Sequence, residues 1–193
     1  MNKSILKGIL FVSLIFNGVF LYIIAERGDI RDPQDTDTSS DTTISTNLPE
    51  VYESGKSYPL MRIVDGDTMV VGFDNKTQYV RLIGINSPEP NDPGGPQCYA
   101  EESTKHLQEI AKTGVVVLQF DESQGMHDSY GRLLAYVELP DGTDLAKKMI
   151  EDGYAHEYTY KAKYARQEDY NLAQDEAMKE ERGLWSPDTC ANN

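Results

Sequence analysis

Five short runs of β-branched and apolar residues, each bounded by turn residues, constrain this chain more than any other feature. Leu60–Val64, Thr68–Phe73 and Thr77–Ile85 follow one another across Asp-Gly and Asp-Asn pairs, the pattern of consecutive strands joined by tight turns. Val115–Phe120 and Arg132–Leu139 add two more, the last closed by Pro140-Asp141-Gly142. Helical spacing lies between and after them. Tyr99–Lys112 sets Ala100, Leu107, Ile110 and Ala111 on one side, and Asp144–Glu151 presents Leu145, Met149 and Ile150 before Gly153. Arg166–Arg182 spaces Tyr170, Ala173, Ala177 and Met178 at helical intervals and stops at Gly183. Five strands with a helix inserted after the third predict an α+β, mainly β fold. The expected form is a closed five-stranded barrel of the OB type with about three helices packed outside.

This pattern occupies Ser57–Asn193, which is the expected folded domain. Two segments precede it. Met1–Ala25 holds Lys3 and Lys7 and then the apolar run Gly8–Ala25. As a helix that run reaches roughly 27 Å, close to the hydrocarbon thickness of a bilayer. A cleaved signal peptide shares this layout but needs small residues at the cleavage site. Ala25 supplies one, whereas Ile23 two positions earlier does not, so an uncleaved signal-anchor is the favoured reading. The flanking lysines place the remainder of the chain outside the cytoplasm, at the cell surface, or secreted if the segment is cleaved. Glu26–Lys56 is rich in Asp, Ser and Thr and nearly without apolar residues, so it reads as a flexible acidic linker.

Composition narrows the function classes. Hydrophobic residues make up 39% of the chain, enough for a core, which excludes a globally disordered protein. The net charge of -14 excludes a protein that holds DNA by bulk positive charge. It leaves room for an enzyme that recruits a cation to the phosphate. Two cysteines are too few for a disulfide-built scaffold or a four-cysteine zinc site.

Three strings carry chemistry: Val64-Asp65-Gly66-Asp67-Thr68, Val80-Arg81-Leu82-Ile83-Gly84-Ile85-Asn86-Ser87-Pro88-Glu89, and Asp128-Ser129-Tyr130-Gly131-Arg132-Leu133-Leu134-Ala135-Tyr136-Val137. Asp-Gly-Asp taken alone is better explained by a hairpin turn than by a metal site. Arg81 lies inside an apolar strand, where a guanidinium is costly without an anion. It either pairs with a structural carboxylate or awaits a phosphate. Arg132 follows a Tyr-Gly turn at the start of a strand, and Glu89 leaves its strand in a proline-containing turn. Two arginines, metal-binding carboxylates and a further carboxylate are the minimal set for phosphodiester hydrolysis. The cation and the guanidiniums neutralise charge at phosphorus, and the carboxylate handles water. Arginine suits the task because its fork binds phosphate bidentately.

Together, in this order and spacing, the three strings resemble the staphylococcal nuclease (thermonuclease) family. The likeness runs from Ser57 to about Trp185 and includes Asp141-Gly142, Glu151-Asp152-Gly153-Tyr154-Ala155 and Gly183-Leu184-Trp185. It implies an OB-fold nuclease that binds one Ca²⁺. Such an enzyme hydrolyses DNA and RNA with little sequence preference, favouring single-stranded or frayed regions, and leaves 3′-phosphates. By that resemblance Asp67, Asn86 and Ser87 stand at the metal positions, Ser87 through its backbone carbonyl, with Asp65 in the outer shell. Glu89 stands where a general base or water-positioning group is expected. Arg81 and Arg132 stand at the two phosphate-gripping arginines, Tyr130 at a phosphate contact, and Tyr158 and Tyr160 at the nucleotide pocket. Base stacking on such rings is sequence-tolerant. Two positions depart from the family pattern. Asn86 replaces the second metal carboxylate, which predicts weaker calcium binding. Ser129 replaces a phosphate-contacting lysine, which predicts weaker substrate binding.

The alternative function is a catalytically weak module on the same fold that binds nucleic acid or a protein partner, and Asn86 motivates it. Cys98 and Cys190 bracket the helical half of the domain. Outside the cytoplasm they are free to form a disulfide closing a loop of about ninety residues; two unpaired thiols are the other possibility. A monomer is the default expectation.

Overall fold

Alternation decides which side of each strand is buried. In β3 (Lys76–Leu82) Val80 and Leu82 enter the core while Tyr79 and Arg81 take the opposite face. The structure, a computed structural model, describes residues 51–191. The apolar run Gly8–Ala25 and most of the acidic linker lie outside the described residues. Among the described residues no helix is long and apolar enough to cross a membrane.

Strand β1 (Lys56–Ile63) runs antiparallel to β2 (Thr68–Phe73), which runs antiparallel to β3. The β2–β3 turn holds only Asp74 and Asn75, both at positive φ, 41° and 64°. Short polar side chains tolerate that conformation, and its twist matches a two-residue hairpin. β5 (Val115–Gln119) and β6 (Leu133–Glu138) complete a closed barrel in the order β1-β2-β3-β6-β5. β5 pairs back onto β1, so no strand of the barrel is left as an edge. The β3–β6 pair is parallel and therefore needs a long crossover. Helix α1 (Ala100–Ile110) and β5 lie in that crossover. Helices α2 (Leu145–Glu151) and α3 (Gln167–Lys179) follow, then a 3-10 turn at Gly183–Trp185. The expected closed five-stranded barrel with three helices is the fold observed, and its parallel β3–β6 pair makes the sheet mixed.

The core is one cluster. Met69, Val71, Val80, Leu118, Leu133 and Val137 fill the barrel, and Leu107, Leu145, Met149, Ile150 and Tyr170 come from the helices. Asp144 caps α2 by accepting from Lys147 N at 3.1 Å, and it also accepts from Tyr170 Oη at 2.8 Å and pairs with Arg166. One carboxylate thus ties α2 to α3. The folded part begins before Ser57: Lys56 is already in β1, and the Tyr52 ring lies 4.6 Å from that of Phe73.

The run Thr77–Ile85, expected as a single strand, is divided. It breaks at Gly84 (φ 84°) and resumes as the two-residue β4 (Ile85–Asn86), which pairs with β7 (His156–Glu157). A side chain at Gly84 would have its Cβ 2.7 Å from the Tyr164 ring and 2.8 Å from that of Tyr170. The backbone must pass beneath two tyrosines, which only glycine permits there. The turn re-aims the chain and delivers Asn86 and Ser87 to the mouth of the barrel.

Asp121, just past β5, fastens the loops to this frame. It accepts from Tyr136 Oη at 2.7 Å, from Ala165 N at 2.8 Å and from Ser123 Oγ at 2.7 Å. Burial pushes its carboxyl upward, but these donors outweigh burial and hold it down at about 2. A depressed carboxylate stabilises the fold above its unfolded value and loses that contribution as pH falls through the folded one. Asp121→Asn is therefore expected to destabilise the protein most at neutral pH. The deficit should shrink as pH falls from about 4 to about 2. Denaturant unfolding of both proteins across that range checks it; a constant deficit would show that ionisation of Asp121 is irrelevant.

Candidate nuclease site

Asp67 is the centre. It is 1% exposed, a low value for a carboxylate, and sits at the turn from β1 into β2. Gly66 permits that turn, because a Cβ there would lie 2.0 Å from Ser103 Oγ and 2.7 Å from Ser87 Cβ. Three groups contact the Asp67 carboxylate. Its Oδ2 accepts from Ser87 N at 2.8 Å and meets Arg81 Nη2 at 3.1 Å. Its Oδ1 accepts from Thr68 Oγ1 at 3.0 Å. Asp65 Oδ1 accepts from Asp67 N at 3.0 Å, closing the turn.

The two arginines converge here because of the parallel β3–β6 pairing. Thr68 faces Arg81 across β2–β3, and Val80 faces Leu133 across β3–β6, so Arg132 arrives one residue before β6 and beside the same spot. Arg81 Nη2 also donates to Asn86 Oδ1 at 3.3 Å, and Nη1 donates to Leu82 O at 2.8 Å. Of the two alternatives left open for Arg81, the structure shows pairing with a carboxylate, that of Asp67. Arg132 Nη1 donates to Thr68 Oγ1 at 3.3 Å, and its Nε pairs with Asp128 Oδ2 at 2.7 Å. Asp128 also accepts from the backbone N–H groups of Tyr130 and Arg132, both at 2.9 Å. That carboxylate folds the Tyr-Gly turn and aims the guanidinium in one arrangement. Burial and Asp67 raise the carboxyl of Glu89, while Arg81 and Arg132 oppose them. Burial, with Asp67 adding to it, pushes Asp65 up to about 6. Asp65, Asp67 and Glu89 therefore share one electrostatic neighbourhood with both guanidiniums.

Tyr130, Tyr158 and Tyr160 are all exposed. Tyr130 is 84% exposed, with the Arg132 guanidinium 5.5 Å from its ring centre. Tyr158 and Tyr160 are exposed with ring centres 6.3 Å apart. Tyr158 N donates to Gly84 O at 3.0 Å, which ties this pair to the strand break beside Asn86. Cys98 and Cys190 form a disulfide.

Sequence reasoning did not single out Thr68, which links Asp67 to Arg132, or Asp128, which holds Arg132. Asp128 stands at i,i+4 to Arg132 within a quoted string, and that spacing was the available signal. Nor was β7 expected, although its pairing holds Asn86 in place.

The donor set at this corner suits a particular kind of metal ion. Asp67, the Asn86 amide oxygen and Ser87 offer only oxygen, the preference of a hard cation such as Ca²⁺. Ser87 Oγ is buried and lacks a hydrogen-bond partner, the kind of orphaned oxygen that a ligand satisfies. Among the described residues no three His, Cys, Asp or Glu side chains are grouped to hold a metal. The residues thus fit a hard cation held by few charges and do not form a zinc-type cage.

The family model "Staphylococcal nuclease homologue" matches residues 79–187. The thermonuclease of Staphylococcus hyicus is 35% identical over 133 residues, 68% of this chain and 76% of that protein. The thermonuclease of Staphylococcus intermedius is 33% identical over 132 residues, covering 68% and 77%. Endonuclease YncB of Bacillus subtilis is 32% identical over 136 residues, covering 69% of this chain and 64% of its own length. The family match spans more than half of the chain and includes both arginines and Glu89, so the chain belongs to the staphylococcal nuclease homologue family.

Proposed function

We propose that this protein is a Ca²⁺-dependent, sequence-unspecific nuclease that hydrolyses phosphodiester bonds of DNA and RNA and leaves 3′-phosphates. One observation carries the reading: two guanidiniums meet at the Asp67–Thr68 corner, with Glu89 in the same electrostatic neighbourhood. Arg81 and Arg132 grip the scissile phosphate and stabilise the charge that grows on its oxygens. The Glu89 carboxylate orients the attacking water and accepts its proton. As the water oxygen bonds to phosphorus, the bond to the 5′ oxygen breaks, and that oxygen leaves as a 5′-hydroxyl on taking a proton from solvent. Asp67, Asn86 and Ser87 would hold the cation, which supplies further neutralisation of the phosphate. Arg81 makes its Asp67 contact at 3.1 Å. Substrate phosphate would take over the Arg81 guanidinium, and the Asp67 carboxylate would then be free to hold the cation. Tyr130, Tyr158 and Tyr160 offer faces for unpaired bases.

We place the enzyme outside the cytoplasm, tethered by Gly8–Ala25 or released if that segment is cleaved. Calcium levels there suit a weak site. The test is a calcium titration of single-stranded DNA cleavage with a chelator control. Cleavage should appear with Ca²⁺ and vanish with chelator. Absence of cleavage by folded protein at every calcium level would favour the binding module. Asn86→Asp restores a charge to the site and is expected to lower the calcium midpoint about tenfold. An unchanged midpoint would remove position 86 from the ligand set.

A further inference from the structure

Glu89 stands on an unusual piece of backbone. Pro88 and Pro90 flank it, so Glu89 alone among these three residues carries a backbone N–H. That N–H donates to Gln97 Oε1 at 2.9 Å. Gln97 N in turn donates to Glu89 O at 2.9 Å. One residue, eight positions downstream, therefore holds both peptide groups of Glu89. The third arm of Gln97, Nε2, donates to Asp92 Oδ2 at 3.1 Å. Asp92 folds the intervening loop by accepting from Gly94 N at 2.8 Å on Oδ1 and from Gly95 N at 2.9 Å on its carbonyl oxygen.

The far end of this clamp is fixed. Cys98, the next residue, is bonded to Cys190, and Ala100 opens α1 with its N–H on Gln97 O at 3.2 Å. Gln97 is thus seated against helix and disulfide, and Glu89 hangs from it. A carboxylate that must face an attacking water gains rate from being held in one place. We propose that Gln97 is a positioning residue for Glu89, acting on the chemical step through the Glu89 backbone. The inference rests on the role given to Glu89 above.

Gln97 is exposed, so Gln97→Ala removes its side-chain bonds without opening the core, and its backbone bond to Glu89 O can persist. The expected result is a fall in kcat of about tenfold with KM little changed, measured on a single-stranded DNA oligonucleotide with saturating Ca²⁺. A loop-stabilising role alone would act whatever stands at position 89, so the decisive measurement is a double-mutant cycle with Glu89→Gln. Once the carboxylate is gone, Gln97→Ala should cost nothing more. An equal loss in both backgrounds, or no loss in folded Gln97→Ala, overturns the positioning role and leaves the nuclease reading intact. Full turnover in Glu89→Gln would overturn the assignment of Glu89 itself, and this proposal with it. Circular dichroism of each variant separates loss of function from loss of fold.

Discussion

Arg132→Ala is expected to lower the turnover of DNA cleavage by about 10³-fold or more while the protein stays folded. The expectation of an intact fold comes from where the side chain sits. Arg132 lies outside the core, one residue before β6, and its partners are Asp128, Thr68 Oγ1 and the Tyr130 ring. None of the three is a core aliphatic residue, and Asp128 keeps its bonds to two backbone N–H groups when the guanidinium is gone. The comparison with Arg81 shows why Arg132 is the cleaner test. Arg81 is the ion-pair partner of Asp67, whose side chain is 1% exposed. Arg81→Ala would leave that buried carboxylate with its bonds to Ser87 N and Thr68 Oγ1 but without its paired guanidinium, at a cost of up to about 3–5 kcal/mol. A lost activity could then be lost folding. Arg132→Lys should rescue little, since an ammonium cannot fork between phosphate oxygens while its other face is held by Asp128. The check is kcat on single-stranded DNA beside a circular dichroism spectrum. Wild-type turnover in a folded Arg132→Ala protein would remove this arginine from the mechanism.

How far the sequence reached follows from what kind of contact each feature depends on. The barrel strands and helices rest on local periodicity, and their bounds came within a few residues. The helix expected over Tyr99–Lys112 spans Ala100–Ile110, with Tyr99 turned to a φ of 71° as its cap. The break at Gly84 was not legible, because Val80–Ile85 reads as one strand. Its cause is two tyrosine rings that arrive from about eighty residues downstream. β7 has only two residues, too few to show a period. The site divides in the same way. Residue types and order alone point to Asp67, Arg81, Glu89 and Arg132. What holds them was hidden, since Thr68, Asp128 and Gln97 are ordinary polar residues in polar or β-branched surroundings. Only the parallel register of β3 with β6 turns Thr68 into the hinge between a carboxylate and a guanidinium. Whether Arg81 meets a carboxylate or waits for phosphate likewise depends on where β4 places Asn86 and on the burial of Asp67.

Removing the disulfide with the paired change Cys98→Ala and Cys190→Ala is expected to cost about 4–5 kcal/mol in the chain-entropy model. The size comes from topology. The bond joins positions 92 residues apart, so α1, β5, β6 and both later helices lie inside one closed loop. Opening it frees the denatured chain far more than it disturbs native contacts. The loss is large against the 5–15 kcal/mol that typically holds a domain together, so the variant should unfold at markedly lower denaturant. Native contacts set a limit on what is lost locally. Leu184 N still bonds to Gly153 O at 2.8 Å, and Thr189 Oγ1 to Gly183 O at 2.7 Å, so the C-terminal turn keeps its own attachments. The barrel should therefore remain native at low denaturant, and the slope of the transition separates the causes. A lower midpoint with greater denaturant sensitivity is the signature of a denatured state released from its cross-link. An unchanged midpoint would show that the native packing of the C-terminal segment, and not the covalent link, sets the stability of this half of the domain.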